Sequence, residues 1–277
     1  MNKKQNSLQK IFQKKKNIVI GALHFSHLLG YGEFAGFNKL LKDAKHDLHA
    51  LEEGGVDGII VENNYGLTPE FVDTSVAVSM AYLIGELRKM TNIPLGVDVL
   101  WNDYKTALAL AKTYNLQFIR VPVFVDTVKP YCGKIVGDAK AVIKYRKKIN
   151  ASHIALFTDI HVKHAELLSK HSLAASAKKA VSAGSDGIIV TGNWTGEPPS
   201  TNDLETVRKA VGNMPIIVGS GADKDNIVNL YEIADAAIVS TSLKKGGVKK
   251  RERNVKNHTQ RVNVKKVKVF TRTARTQ

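Results

Sequence analysis

The chain has 277 residues, 43% of them apolar, with 41 Lys and Arg against 25 Asp and Glu and a net charge of +16. This length and balance allow one or two globular domains and exclude a disordered or collagen-like chain. No apolar run reaches the roughly 18 residues of a membrane span, and a single cysteine, Cys132, excludes an internal disulfide and fits a reducing cytoplasm.

The excess charge sits at the ends. Residues 1–16 hold six Lys and no acid, and residues 244–277 hold thirteen Lys and Arg against Glu252, so the body between them is close to neutral. The first 16 residues lack an apolar stretch and read as a basic extension, not a signal peptide. Clustered basic ends can attract nucleic acid or an anionic membrane; the plainer reading is a solvated terminus. No aromatic interleaving supports base stacking, since Phe270 stands alone.

In chain order, eight short apolar runs alternate with helix-like segments. The runs are Ile18–Leu23, Gly58–Val61, Leu95–Leu100, Phe118–Val123, Ile154–Asp159, Gly187–Thr191, Ile216–Gly219 and Ala236–Ser240. Between them the spacing predicts helices over Phe37–Glu53, Thr74–Met90, Tyr104–Tyr114, Asp138–Lys148, Ser172–Ser182, Asn202–Val211 and Asp223–Ile233. Asn202 with Glu205 is a capping-box-like start. Residues 262–274 are a candidate last outer helix, after a long basic connection. Continuous apolar runs alternating with helices predict buried parallel strands in βαβ units, and eight of them predict an α/β fold, a single (β/α)8 TIM barrel. The predicted organisation is an extension over 1–16, a barrel body over 17–245, and a basic connection plus outer helix over 246–277. The runs around Asp57 and Asp186 are nearly identical and four strands apart, as two halves of a duplicated barrel would be. An open doubly wound sheet would need a Gly-rich first turn, and the first run instead meets His24-Phe25-Ser26-His27.

In a barrel, alternate residues of each strand point inward, and chemistry sits on the loops after the strands. That parity sends His24, Glu62, Asp98, Arg120, Asp159 and His161 to one face, with Lys163 a step higher. Burying charges without partners is costly, so these groups should pair with each other or face a ligand. The candidate catalytic groups are therefore Asp159 or Asp98 as base, His161 or His24 as acid, Glu62, and Lys163 as an anion-stabilising or Schiff-base-forming amine. A salt-bridge layer, with Arg120 on Glu62 or Asp98, is the competing reading. Gly219-Ser220-Gly221-Ala222 and Thr241-Ser242 follow the last two strands, where barrels often bind phosphate. Asn63, Asn102, Asp103, Thr191, Gly192 and Trp194 join Arg120 as candidate substrate contacts. Asp159, His161 and His164 have spacing compatible with a divalent metal, without a zinc pattern, and no nucleotide-cofactor motif is present.

Taken together these strand ends resemble the BtpA/SgcQ family of barrel proteins. The resemblance rests on Ile20-Gly21 with His24; Gly54-Gly55-Val56-Asp57 with Glu62-Asn63; Pro94-Leu95-Gly96-Val97 with Asn102-Asp103; Phe118-Ile119-Arg120-Val121; Asp159 with Val162-Lys163-His164; Val190-Thr191-Gly192 with Thr195-Gly196; Val218-Gly219-Ser220-Gly221; and Thr241-Ser242-Leu243-Lys244. The resemblance implies a barrel and two unlike roles. One branch is linked to photosystem I assembly with peripheral membrane association. Another sits with sugar-uptake genes and is described as a nucleosidase or sugar-metabolism protein. The chain departs from the family pattern at His27, Leu29, Asp98, Trp101, Pro122 and Tyr131-Cys132. The expected function is an enzyme on a phosphorylated sugar, nucleoside or nucleotide, in the cytoplasm, with the oligomeric state open and a homo-oligomer one option. The alternatives are a non-catalytic assembly factor or an electrostatic binder of RNA or anionic lipid.

Overall fold

The computed structural model describes residues 6–66, 68–246 and 259–276. A short helix, α1 (Ser7–Phe12), leads into β1 (Ile18–His24), α2 (Phe37–Glu53), β2 (Gly58–Glu62), α3 (Thr74–Arg88), β3 (Leu95–Asp98), α4 (Tyr104–Thr113) and β4 (Phe118–Val121). Next come β5 (Thr127–Lys129), β6 (Ile135–Val136), α5 (Ala139–Lys148), β7 (Ala155–Ile160), β8 (Glu166–Leu167) and α6 (Leu173–Ala183). The chain finishes with β9 (Gly187–Val190), α7 (Thr201–Val211), β10 (Ile216–Val218), α8 (Ile227–Tyr231), β11 (Ala236–Val239) and α9 (Val264–Thr273). Eight parallel strands close in the order β1, β2, β3, β4, β7, β9, β10, β11. This is the predicted (β/α)8 barrel. The short strands β5, β6 and β8 form a separate antiparallel sheet that the apolar pattern did not announce.

A side chain placed just before every second barrel strand ties down the strand beside it. Asp57 accepts from Val19 N at 2.9 Å and returns its own N–H to Val19 O at 2.8 Å. Gln117 treats Leu95 the same way, Asp186 treats Leu156, and Asp235 treats Ile216. Each satisfies backbone groups that would otherwise be buried unpaired at a strand start. The barrel is thus assembled from four strand pairs, and Asp57 and Asp186 do the same work four strands apart.

Several boundaries differ from expectation. β3 ends at Asp98 instead of Leu100 because Asn63 takes both the N–H and the C=O of Leu100, at 2.7 and 3.1 Å. β4 stops before Pro122, which has no N–H to give a ladder. The start of α7 is capped by Ser200, whose side chain accepts from Asp203 N, and not by Asn202. α8 is shorter than the predicted Asp223–Ile233 segment.

The basic extension also needs correction. Within it, α1 turns Leu8 and Phe12 into the barrel's inner cluster, against Ile18, Ile20, Ile60, Phe118, Phe157 and others. Phe12 meets Phe118 at a tilt of 57° with ring centroids 5.8 Å apart, and a Cβ at Gly58 would lie 2.6 Å from the Phe12 ring. Lys14 pairs with Asp57, so the segment is fastened to a strand-start cap. Residues 7–12 thus plug the barrel floor. At the other end the predicted last outer helix over residues 262–274 forms as α9. α9 packs on α2, with Thr271 Oγ1 donating to Gly54 O at 2.7 Å and Asp47 accepting from Val262 N at 2.9 Å. Most of the predicted basic connection, 247–258, lies outside the described residues. Among the described residues no helix is long and apolar enough to cross a membrane.

Candidate active site at the mouth of the barrel

Alternation carries the barrel interior upward from apolar to charged. In β4, Phe118 and Arg120 share the inward face; in β7, Phe157 and Asp159 do; in β3, Gly96 leaves room for the Phe118 ring and Asp98 stands above it. Glu62, Asp98, Arg120 and Asp159 are all buried. Arg120 donates from Nε and Nη2 to the two Asp159 oxygens, both at 2.8 Å. Its guanidinium lies 3.6 Å from Glu62 and 3.7 Å from Asp98 without hydrogen-bonding either. The expected salt-bridge layer therefore exists, but its main partner is Asp159.

One guanidinium faces three buried carboxyls, and proton affinity shifts accordingly. Burial, only partly offset by Arg120, pushes Asp98 well above the usual carboxylate range, and neither of its oxygens has a hydrogen-bond partner. Burial also raises Asp159, against the pull of the bidentate Arg120. For Glu62 burial is outweighed by His24 and Arg120, and the group is held at about 2. His24 lies 3.2 Å from Glu62 through Nε2 and 3.3 Å from Lys244 Nζ through Nδ1. Lysine can only donate, so Nδ1 accepts and the Nε2 proton points at Glu62. Burial and then Lys244 lower His24 to about 4, so it is a neutral imidazole near pH 7. Burial and then Arg120 lower Lys163 to about 8. Lys244 falls to about 8 through burial.

These groups surround a cavity of about 390 Å³, within the roughly 300–1,000 Å³ range of small-ligand sites. His24, Glu62, Asp98, Arg120 and Lys163 form its floor and one wall. Gly219–Asp223 and Ser240–Ser242 form another wall. Tyr131, at the tip of the β5–β6 hairpin, covers part of the opening. Its hydroxyl accepts from Thr68 N at 2.7 Å, and Trp101 meets it edge-on.

The predicted anion loops border the cavity, but their side chains are partly committed. Ser220 Oγ donates to Glu197 O at 2.8 Å and accepts from Gly192 N at 3.0 Å. Ser242 Oγ donates to Ala222 O at 2.9 Å. Gly221 has φ +69°, and a Cβ there would lie 2.1 Å from Pro198 N, so loop packing alone requires glycine. Ser240 Oγ, just past β11, is buried in the cavity wall without a partner, and Thr241 beside it also lines the cavity.

Other predicted residues lie elsewhere. His161 follows the end of β7 at φ 48°, which breaks the strand parity. Its ring turns to Ser176, at 3.4 Å, and its N–H to Asp126. Asn63 pins Leu100, Asn102 pins Val123 N and O, and Asp103 caps α4 while accepting from Val72 N. Thr191 and Gly192 support the loop beneath Gly219 and Ser220. Trp194 is exposed and meets His164 edge-on; His164 also bonds Thr195 at 2.9 Å. The Asp159, His161 and His164 side chains thus diverge, and among the described residues no three His, Cys, Asp or Glu gather as a metal cluster. Sequence reasoning missed Tyr131, Thr68, Ser240 and two C-terminal lysines. Lys244 touches His24, and Lys266 of α9 lines the cavity and donates to Lys244 O at 2.8 Å.

Comparison with known proteins agrees with this architecture. Among solved structures, N-(5'-phosphoribosyl)anthranilate isomerase from Pyrococcus furiosus superposes with TM-score 0.54 at 14% identity, covering 94% of this chain and 99% of that one. An archaeal fructose 1,6-bisphosphate aldolase gives 0.53 at 11% identity, covering 97% of each. At these identities the likeness is one of fold. The photosystem I biogenesis protein BtpA of Synechocystis sp. is 37% identical over 235 residues, 83% of this chain and 82% of that protein. The family model described as BtpA family matches residues 15–272, and the chain belongs to that family.

Proposed function

We propose that the chain is an enzyme acting on a phosphorylated small molecule, a sugar phosphate or a nucleotide, at the mouth of the barrel. The observation that carries this reading is the composition of the 390 Å³ cavity. One wall holds a buried, unbonded carboxyl, Asp98, and a lysine whose charged form is disfavoured, Lys163. Groups with proton affinities moved toward neutrality suit proton transfer. The facing wall offers small residues and the free Ser240 hydroxyl to an anion. In this reading the protonated Asp98 is the acid and its conjugate base the proton acceptor. Arg120 fixes Asp159 and keeps the site cationic enough for a phosphoryl group. His24, neutral and held between Lys244 and Glu62, orients Glu62 and does not act as an acid near pH 7. The solitary Cys132 fits a cytoplasmic location. The isomerase and aldolase among the structural neighbours add a parallel of fold only.

The test is a thermal-shift screen with sugar phosphates, nucleosides and nucleotides, with plain phosphate as control, followed by turnover of any hit. Turnover lost in Asp98→Asn with folding retained supports the assignment; turnover unchanged in both Asp98→Asn and Lys163→Met overturns it. The similarity to the photosystem I biogenesis protein of Synechocystis sp. favours a second reading, an assembly factor for a protein complex. That reading predicts that cavity variants leave partner binding intact.

A further inference from the structure

Lys163 stands apart from the other charged groups of the cavity. Arg120 is fastened to Asp159, Lys244 to His24, and Lys266 to the Lys244 carbonyl. Lys163 lines the cavity and has neither a hydrogen bond nor an ion pair within 4 Å among the described residues. Its electrostatic neighbours come from four strands: Arg120 on β4, Glu62 on β2, Asp159 on β7 and Asp98 on β3. His24 on β1 also feels its charge. An amine that is unbonded, recessed and open to a cavity is available for bond formation. Asp98, one of these electrostatic neighbours, is buried without hydrogen bonds, and burial raises its proton affinity.

We propose that Lys163 is a nucleophile that forms an iminium with an aldehyde or ketone group of the ligand, with Asp98 supplying the proton that removes water. This rests on the reading of the cavity as a site for a phosphorylated small molecule, and it narrows that substrate to a carbonyl compound. The Nζ lone pair forms a bond to the carbonyl carbon, and the carbonyl π pair moves to oxygen. A proton passes from nitrogen to that oxygen and gives a neutral carbinolamine. The hydroxyl then takes the Asp98 proton and departs as water while the nitrogen lone pair closes the C=N bond. Amine, carbonyl and one proton become iminium and water. The cationic iminium is left beside the new Asp98 carboxylate and Glu62, which favours it over the free carbonyl. Lys163 then acts as an electron sink for cleavage or proton removal next to the former carbonyl.

The experiment uses pyridoxal 5'-phosphate, an aldehyde carrying a phosphoryl group, on the intact chain, with borohydride reduction and mass mapping of every modified lysine. A fall from 10.5 to about 8 raises the free-amine fraction at pH 7.5 by on the order of a hundredfold. Lys163 is therefore expected to be labelled at least about tenfold faster than the exposed lysines. Glycerol 3-phosphate, which has no carbonyl, is expected to raise the melting temperature and to protect Lys163. Asp98→Asn is expected to slow labelling at Lys163 and not at surface lysines. Labelling confined to surface lysines or to Lys244 overturns the proposal. If that happens while glycerol 3-phosphate still stabilises the protein, the phosphorylated-ligand reading stands and the nucleophile is lost. Fast labelling of Lys163 without protection supports the nucleophile and removes the phosphate site. Mapping on the unmodified sequence keeps the test valid if a variant fails to fold.

Discussion

Arg120 spends its Nε and Nη2 donors on Asp159, at 2.8 Å each, and leaves Asp98, 3.7 Å away, without a hydrogen bond. The two aspartates are equally buried and opposite in role. One completes an ion pair; the other is a carboxyl without a hydrogen bond, whose proton affinity burial raises well above the usual range.

Isosteric replacement separates them. Asp159→Asn leaves a buried guanidinium without its bidentate partner and is expected to cost about 3–5 kcal/mol of stability. The proposed role gives Asp98 a proton, so Asp98→Asn swaps one neutral group for another and is expected to change stability by less than about 1 kcal/mol near pH 7. Urea unfolding of both variants measures the difference. Equal losses would contradict the assignment of the proton to Asp98.

His24 gives a pH dependence whose sign follows from its environment. Its proton affinity falls from 6.5 in the unfolded chain to about 4 in the fold. Between those values the unfolded chain binds the extra proton, so stability is lost as pH falls. Wild type should lose about 2 kcal/mol more than His24→Gln between pH 7.5 and pH 5. Glu62, held at about 2 partly by His24, keeps its charge through this window in wild type. Parallel pH curves for the two proteins would remove the buried, neutral His24.

The barrel floor is testable without any ligand. Leu8 is fully buried, so Leu8→Ala is expected to cost about 2–5 kcal/mol, as in any packed core. A Lys10→Gln change on the same helix removes charge from an exposed position and should alter stability by less than about 0.5 kcal/mol. If Leu8→Ala were equally silent, residues 7–12 would be a solvated terminus after all.

The parts that were legible obey a period. Strand runs and the inward parity of Glu62, Asp98, Arg120 and Asp159 follow from the two-residue repeat of a buried strand, which sequence displays directly. His161 was misplaced because the repeat ends at Ile160, where a left-handed residue re-aims the chain, and parity carries no sign of that. Asn63, Asn102 and Asp103 looked like ligand contacts because Asn and Asp bind polar groups of any kind; here those groups are loop amides and carbonyls. The floor helix was hidden by composition, since Leu8 and Phe12 are two apolar residues in a lysine-rich stretch. Lys244 and Lys266 were hidden the same way: packing of α9 on α2, not the local sequence, buries Lys244 and brings the exposed Lys266 to the cavity rim. The small sheet of β5, β6 and β8 rests on runs of two or three residues, too short for any pattern.

The central claim is that the cavity above Arg120 binds a phosphorylated small molecule. The most direct test compares the melting temperature of wild type and Ser240→Leu, with and without the best ligand of the phosphate panel. Ser240 Oγ is buried in the cavity wall, and a leucine there fills ligand space. A ligand at about a hundred times its dissociation constant stabilises by about 2.7 kcal/mol, several degrees for a domain of this size. The account predicts that shift in wild type and its loss in a Ser240→Leu protein that still unfolds cooperatively. The same shift in both proteins, or none from any phosphorylated compound, would contradict it.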